Sequence, residues 1–167
     1  MASIVEPTVH LVSSEGDRFV VPVKIAIVSG TVKDIIKEDD DDDDEEEIDL
    51  QNVSTATLVK VIDFMNLYDR EKMNDIEKPL RSDKMEEVVQ VVYSEFVVID
   101  QEKLFDLILA ANYMHIQPLL DLTCAKVASM IKGKSPEEIR ATFNIINDFT
   151  PEEEDKIRED NRWVEEA

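Results

Sequence analysis

The side chains that most often bind transition metals or act as nucleophiles are scarce in this sequence. The 167 residues include two histidines, His10 and His115, and one cysteine, Cys124. A zinc site needs three or four nitrogen or sulfur ligands, so this inventory does not support one. A nucleophilic Cys124–His115 pair fits the count, but its spacing along helical sequence does not favour contact, and a buried helical cysteine usually acts as a small hydrophobe. We therefore expect no metal and no thiol catalysis.

Two short motifs suggest phosphate binding and acid–base chemistry. Residues 133–135 (GKS) match the end of a phosphate-binding loop, but that loop needs a glycine five residues earlier, where Ala128 stands. Residues 152–154 are three glutamates that follow a proline, a position typical of the first turn of a helix, where the helix dipole favours negative charge. We therefore expect a protein that is not an enzyme, uses no cofactor and binds other proteins.

Charge and cysteine content limit the partners and the compartment. The chain has 39 acidic against 18 basic residues, a net charge of -21. This charge repels phosphate backbones and anionic lipids, which disfavours nucleic-acid and membrane roles. A single cysteine cannot form an intramolecular disulfide, and the first ten residues lack the basic and apolar segments of a secretory signal. We expect a protein of the cytoplasm and nucleus.

The elements that must position any binding surface follow from residue patterns. Two β-rich runs, residues 8–13 and 18–23, flank a turn that contains Gly16 and predict a hairpin, with Pro22 at the end or edge of its strand. Apolar spacing predicts a set of helices over residues 31–36, 54–68, 101–114 and 116–132, with Ser54 as the N-cap of the second. The pattern of residues 85–96 indicates a further helix, and a strand over residues 96–99 is the alternative for the end of this segment. The fold class is α+β.

An acidic tract interrupts these elements. Residues 38–47 are ten consecutive aspartates and glutamates. Adjacent like charges repel even in water, so we expect a solvated, disordered loop.

Two short helices are predicted in the last third of the chain. Ser135 and Thr150 are each followed by Pro-Glu-Glu, which gives an N-cap hydroxyl, a proline at the first helical position and a glutamate at the third. The second helix is expected to run to about Trp163. Such short helices cannot bury their apolar side chains against each other alone, so those side chains must pack on the preceding helices or on another chain.

The same region resembles a known family. Residues 104–113 (LFDLILAANY) resemble a signature of the Skp-family adaptors, and so do residues 119–124 (LLDLTC), 130–140 (MIKGKSPEEIR) and 143–150 (FNIINDFT). Residues 161–163 (NRW) are similar to the end of the family's last helix. The resemblance is nearly continuous from 100 to 163 and looser before that. Residues 68–98 depart from the family pattern, so the resemblance implies no structure for residues 69–98.

This resemblance implies a BTB/POZ-like domain over residues 1–132, which contains the acidic loop 38–47, and a helical extension for dimerisation or F-box binding over residues 133–167. It implies an adaptor of an SCF ubiquitin ligase that bridges a cullin scaffold to F-box substrate receptors. Asn112 and Tyr113 would contact the cullin. The F-box would contact a set of mostly apolar side chains: Leu120, Val127, Ile131, Ile139, Phe143, Ile145 and Trp163.

Three alternatives stay open. An elongin-C-like adaptor would share the BTB part, although such chains stop before residues that correspond to the extension. A self-associating BTB scaffold, or a homodimer of the free chain, would pair the F-box face with itself. Some protist members of the family resemble this chain at residues 150–153 (TPEE) and carry a hydroxylated, glycosylated proline there, which makes Pro151 a candidate modification site. Helix initiation alone also explains a proline at that position.

Overall fold

A computed structural model describes residues 6–38 and 46–165 of the chain. The predicted α+β class is confirmed, because the described residues combine a three-stranded sheet with helices. They form two compact units that divide between Lys132 and Gly133. The first unit contains the sheet and the long helices, and the second contains only short helices.

The sheet begins as a hairpin. Strands β1 (Thr8–Val12) and β2 (Arg18–Pro22) pair antiparallel, and Gly16 in the turn between them has a φ of 86°, which glycine adopts without strain. Pro22 ends β2, a strand at the edge of the sheet, where its missing N–H leaves the ladder intact. The predicted hairpin is confirmed.

A third strand lies where the sequence predicts only a disordered acidic loop. Strand β3 (Glu46–Asp49) pairs parallel to β1, with Ile48 opposite Leu11. The prediction for residues 38–47 is therefore wrong at Glu46 and Glu47, and also at Glu38, which is the last residue of a helix that begins at Gly30. Residues 39–45 lie outside the described residues. Alternation explains the strand, because Ile48 is buried in the core while Glu47 faces outward and forms a 3.1 Å ion pair with Arg18.

Six helices and one 3₁₀ turn complete the described part of the first unit. They are α1 (Val23–Ala26), α2 (Gly30–Glu38), α3 (Thr55–Arg70), the 3₁₀ turn Met85–Glu87, α4 (Val91–Phe96), α5 (Gln101–Tyr113) and α6 (Gln117–Ile131). The four helices predicted from apolar spacing agree with α2, α3, α5 and α6 to within two residues at each end. Ser54 caps α3 as predicted, since its hydroxyl accepts the N–H of Thr57.

The segment that carries α4 differs from its prediction. The 3₁₀ turn and α4 replace the single helix expected over residues 85–96, and the alternative strand at 96–99 does not form. Val97 follows the end of α4 and is fully buried in the core, which holds the chain in a turn between α4 and α5. An apolar run of this length reads equally well as a buried strand or a buried turn.

An aromatic cluster fills the core between α3 and α4. The ring of Phe64 lies 5.8 Å from Tyr68, 6.0 Å from Tyr93 and 5.7 Å from Phe96, measured between centroids. The hydroxyl of the buried Tyr93 donates to the carbonyl oxygen of Glu71, where the chain leaves α3. Burial raises the pKa of Tyr93 to about 12, because it disfavours the charged phenolate.

The second unit contains α7 (Pro136–Phe143), α8 (Pro151–Asp160) and α9 (Arg162–Glu165). Both predicted capping boxes are confirmed. The hydroxyls of Ser135 and Thr150 accept the backbone N–H of the glutamate three residues later. The carboxylate of that glutamate accepts the backbone N–H of the capping residue in return. The helix expected to continue to Trp163 is interrupted at Asn161. The side chain of Asn161 donates to the carbonyl oxygen of Ile157 and so competes with the helical hydrogen bonds.

Candidate protein-interaction surfaces

Helix α5 is apolar on both sides. Its inner side packs against α3 and α6 through buried residues, which are Leu104, Leu107, Ala110 and Ala111. Its outer side also carries large apolar groups, with Phe105 39%, Leu109 67% and Tyr113 37% exposed. The spacing of four residues places these three on one side, next to the exposed Asn112. We call Phe105, Leu109, Asn112 and Tyr113 the α5 face.

Only part of this face was identified from the sequence. The family signature indicates Asn112 and Tyr113, whereas Phe105 and Leu109 lie within that signature without a predicted role. The inward positions of α5 are already filled by its buried residues, at spacings of three and four. That pattern was available in the sequence and indicates that the remaining apolar positions face outward.

The end of α5 is held in place by the start of α2. The hydroxyl of Thr31 donates to the carbonyl oxygen of Tyr113 at 3.1 Å and lies 2.9 Å from Nδ1 of His115. The N–H of Gly30 donates to the carbonyl oxygen of His115 at 3.0 Å. A Cβ atom at Gly30 would lie only 3.1 Å from Cβ of His115, so a larger residue here would push His115 away by a few tenths of an ångström. These contacts fix the orientation of Asn112 and Tyr113.

Helix α6 carries a second row of residues, which we call the α6 face. Leu120 and Val127 are half-buried, and Ile131 is 37% exposed. Cys124 lies between them in the sequence and is also exposed. Partial desolvation, followed by the charge of Asp121, raises the pKa of its thiol, which favours the less reactive protonated form. The ring of His115, the other member of the Cys124–His115 pair considered from the sequence, is hydrogen-bonded to Thr31.

The second unit exposes most of its apolar side chains. Helices α7 and α8 contain no buried residue. We call the exposed apolar set of this unit the extension face: Ile145, Ile146, Phe149, Ile157, Trp163 and Val164. Trp163 is 71% exposed and Ile146 is 86% exposed. Of the predicted F-box residues, Ile139 and Phe143 are half-buried in α7, whereas Leu120, Val127 and Ile131 belong to the first unit.

Polar contacts hold α7 and α8 together. Arg158 pairs with Glu137 at 3.2 Å, and Arg140 pairs with Glu154 at 3.5 Å. Asn147 in the connector donates to Glu154 at 2.6 Å. Exposed ion pairs contribute little stability, so an apolar partner would stabilise this unit far more than its own contacts do. Pro151 is exposed at the first position of α8.

The described residues contain neither a metal-binding cluster nor a membrane-spanning helix. Within residues 6–38 and 46–165, no group of three or more histidine, cysteine, aspartate or glutamate side chains is arranged to hold a metal ion. In that same part of the chain, no helix is both long enough and apolar enough to cross a membrane.

Comparison with known proteins gives consistent matches. The model of the Skp1 family tetramerisation domain matches residues 7–70, and that of the Skp1 family dimerisation domain matches residues 117–164. An S-phase kinase-associated protein 1 homolog from Tetrahymena thermophila is 44% identical over 160 residues, which cover 95% of each chain. SKP1-like protein 12 of Arabidopsis thaliana is 45% identical and covers 92% of this chain and 94% of its own. A Skp1-related protein of Caenorhabditis elegans is 43% identical and covers 96% and 93%.

Proposed function

The chain belongs to the Skp1 family, the adaptors of SCF ubiquitin ligases, and we propose that it joins a cullin to F-box receptors through two separate surfaces. In this role it brings a receptor-bound substrate to the ligase for ubiquitin-dependent degradation. The chain supplies binding surfaces and spacing, and we assign it no catalytic step.

The observation that carries the proposal is the position of the exposed apolar residues. The α5 face and the extension face lie in different units and consist of large apolar and aromatic side chains. Exposed large apolar side chains in such numbers are typical of protein-binding sites, and aromatic side chains are enriched among the residues that dominate binding energy. The net charge of -21 keeps the chain soluble, and exposed apolar side chains add nothing to that solubility. Binding to a partner is what explains them.

We assign the α5 face to the cullin. Asn112 and Tyr113 come from the family signature, and Phe105 and Leu109 extend the same side of the helix toward its N-terminus. The contacts of Thr31 and Gly30 hold the end of this helix rigid before a partner binds. A preformed surface loses little conformational entropy on binding.

We assign the α6 face and the extension face to the F-box receptor. The α6 face consists of the half-buried Leu120 and Val127 and the exposed Ile131. The second unit adds the remaining predicted residues, which are Ile139, Phe143, Ile145 and Trp163. Since α7 and α8 have no buried residue, a receptor helix would provide the apolar cover that these short helices lack.

Reconstitution tests this function. The full chain is mixed with a cullin N-terminal fragment and an F-box fragment from the same organism, and complexes are analysed by size-exclusion chromatography with light scattering. We expect one complex with a single copy of each component. Failure of the two fragments to co-elute in the presence of the chain would contradict the proposal.

A homodimer of the free chain is a second candidate. The extension face is apolar enough to pair with a second copy, and one matching family model is described as a dimerisation domain. If the dimer uses the receptor surface, light scattering should give twice the chain mass for the free protein. Addition of an F-box fragment should convert it to a one-to-one complex. A free protein that is monomeric at every concentration would exclude the dimer.

A further inference from the structure

A groove of about 420 Å³ runs beside α6, on the side next to the α6 face. One wall is the loop segment that contains Ile76, Pro79 and Leu80, and the other wall is α6 with Ala128 and Ile131. Both walls are mainly apolar. Ile131 belongs to the groove and to the α6 face, so the groove adjoins that face at Ile131.

The loop wall is held in place before any partner binds. The side chain of Gln90 donates to the carbonyl oxygen of Lys72 at 2.8 Å and accepts the N–H of Asn74 at 3.0 Å. On the other side of the wall, Nε of Arg81 donates to the carbonyl oxygen of Glu87 at 2.9 Å. The loop is therefore pinned at both ends, which makes the groove a preformed site.

The rim of the groove carries positive charge in an acidic protein. Lys78, Lys132 and Asp121 all line it, so the lining carries two positive charges and one negative charge. Lys78 forms a 3.1 Å ion pair with Asp121 while its side chain remains 72% exposed, and Lys132 supplies the excess positive charge. Most of the chain repels acidic ligands because its net charge is -21. An apolar groove whose rim has a net positive charge at Lys132 therefore favours an apolar group with a carboxylate beside it.

We propose that this groove is a selectivity pocket for F-box receptors, which takes an apolar side chain of the receptor with an acidic residue next to it. The proposal rests on the assignment of the α6 face to the F-box. The receptor segment that covers Leu120, Val127 and Ile131 continues into the groove, where the loop wall adds contacts. Because the loop lies in the part of the sequence that departs from the family pattern, it selects among receptors rather than providing the common affinity.

Matched substitutions test the pocket. Leu80→Ser removes an apolar side chain from the loop wall, while Met73→Ser makes the same kind of change at a partly buried loop residue outside the groove. Lys132→Gln removes a positive charge from the rim of the groove. Lys126→Gln removes a positive charge from α6 outside the groove and is its control. Dissociation constants are measured for the full chain with recombinant F-box fragments of several receptors and with a cullin fragment.

For at least one receptor, we expect Leu80→Ser to weaken F-box binding by about tenfold and Lys132→Gln by about threefold. The two control variants should stay within about twofold, and cullin binding should be unchanged in all four. The effect of Lys132→Gln should shrink as salt is raised.

Other outcomes separate the pocket from the function. If the unmodified chain binds F-box fragments but Leu80→Ser and Lys132→Gln bind all of them as tightly, the pocket is wrong and the adaptor function stands. If Leu80→Ser also loses cullin binding and Lys132→Gln has no effect, the loop supports the fold and the pocket is again wrong. If the unmodified chain binds no F-box fragment, both proposals fail.

Discussion

The connection between α2 and the end of α5 depends on one buried polar residue. Ser29 is fully buried, and its hydroxyl donates to the carbonyl oxygen of Met114 at 2.6 Å and accepts the N–H of Val32 at 3.2 Å. It therefore joins the first turn of α2 to the end of α5. Asn112 and Tyr113 directly precede Met114, so their positions depend on this hydrogen bond although neither residue takes part in it.

Substitution of Ser29 by alanine should lower the free energy of unfolding by about 1–3 kcal/mol, because it leaves a buried carbonyl and a buried N–H with a weakened set of bonds. Ser129→Ala is the control. Ser129 is also buried, but its hydroxyl donates to a carbonyl oxygen of its own helix, that of Lys126. We expect less than about 0.5 kcal/mol there. Urea denaturation followed by circular dichroism measures both. Equal losses of unfolding free energy in the two variants would show that the Ser29–Met114 hydrogen bond contributes no more than one within a single helix.

Pro151 remains a hypothesis at the same scale. It is exposed at the first position of α8, where an enzyme could reach its ring. We predict that natively expressed chain carries the added mass of one oxygen, or of an oxygen and sugars, and that Pro151→Ala does not. Intact-mass spectrometry of both proteins measures this. An unmodified mass for the native chain would leave helix initiation as the whole role of this proline.

At the scale of elements, the hairpin turn and helix α3 stabilise each other. The carboxylate of Glu15 accepts the N–H of Thr55, the first residue of α3. The hydroxyl of Thr55 donates to Asp17 at 2.6 Å and lies 2.7 Å from the hydroxyl of Ser13. Helix α3 has no acidic residue in its own first turn. The turn therefore supplies the negative charge that the helix dipole favours.

This contact predicts a pH-dependent stability. Hydrogen bonding from Thr55 holds the pKa of Glu15 below its ordinary value. A carboxyl group whose pKa is lowered by folding stabilises the protein above its unfolded pKa, and this contribution is lost as the pH falls through the folded pKa. Glu15→Gln should therefore lower the thermal midpoint at pH 7, and its difference from the unmodified protein should vanish at acid pH. A difference that is constant with pH, or equal to that of the exposed control Glu86→Gln, would contradict this.

The elements differ in how far sequence predicts them. Caps at Ser54, Ser135 and Thr150 were predicted correctly because they depend on residues within one helical turn. Strand β3 was missed because it forms by pairing with β1, more than thirty residues earlier, and its composition favours solvent. The groove wall was missed for the same reason, since the loop is fixed by Gln90 from a distant position. Long-range pairing leaves no local pattern.

At the scale of the whole molecule, charge opposes compactness. Replacement of residues 39–45, which are all acidic, by a Gly/Ser linker of equal length reduces the net charge from -21 to -14. We expect an unchanged or higher thermal midpoint, because self-repulsion is relieved. A replacement that extends through Glu46 and Glu47 removes two positions of β3 and the ion pair with Arg18, and should lower the midpoint. Equal midpoints for both replacements would mean that β3 contributes nothing to stability.

The central claim is that one chain binds two partners on two independent surfaces, and a pair of variants tests it most directly. Lysines at both Asn112 and Tyr113 change the α5 face, and Trp163→Ala changes the extension face. Truncating a central anchor costs about 2 kcal/mol, or about thirtyfold in affinity. Binding to a cullin fragment and to an F-box fragment is measured for each variant, with circular dichroism to confirm folding.

We predict that the lysine variant loses cullin affinity by at least about thirtyfold and keeps F-box affinity within about threefold. Trp163→Ala should do the reverse. If both variants stay folded and each loses both partners, the two surfaces are not independent and the account is wrong.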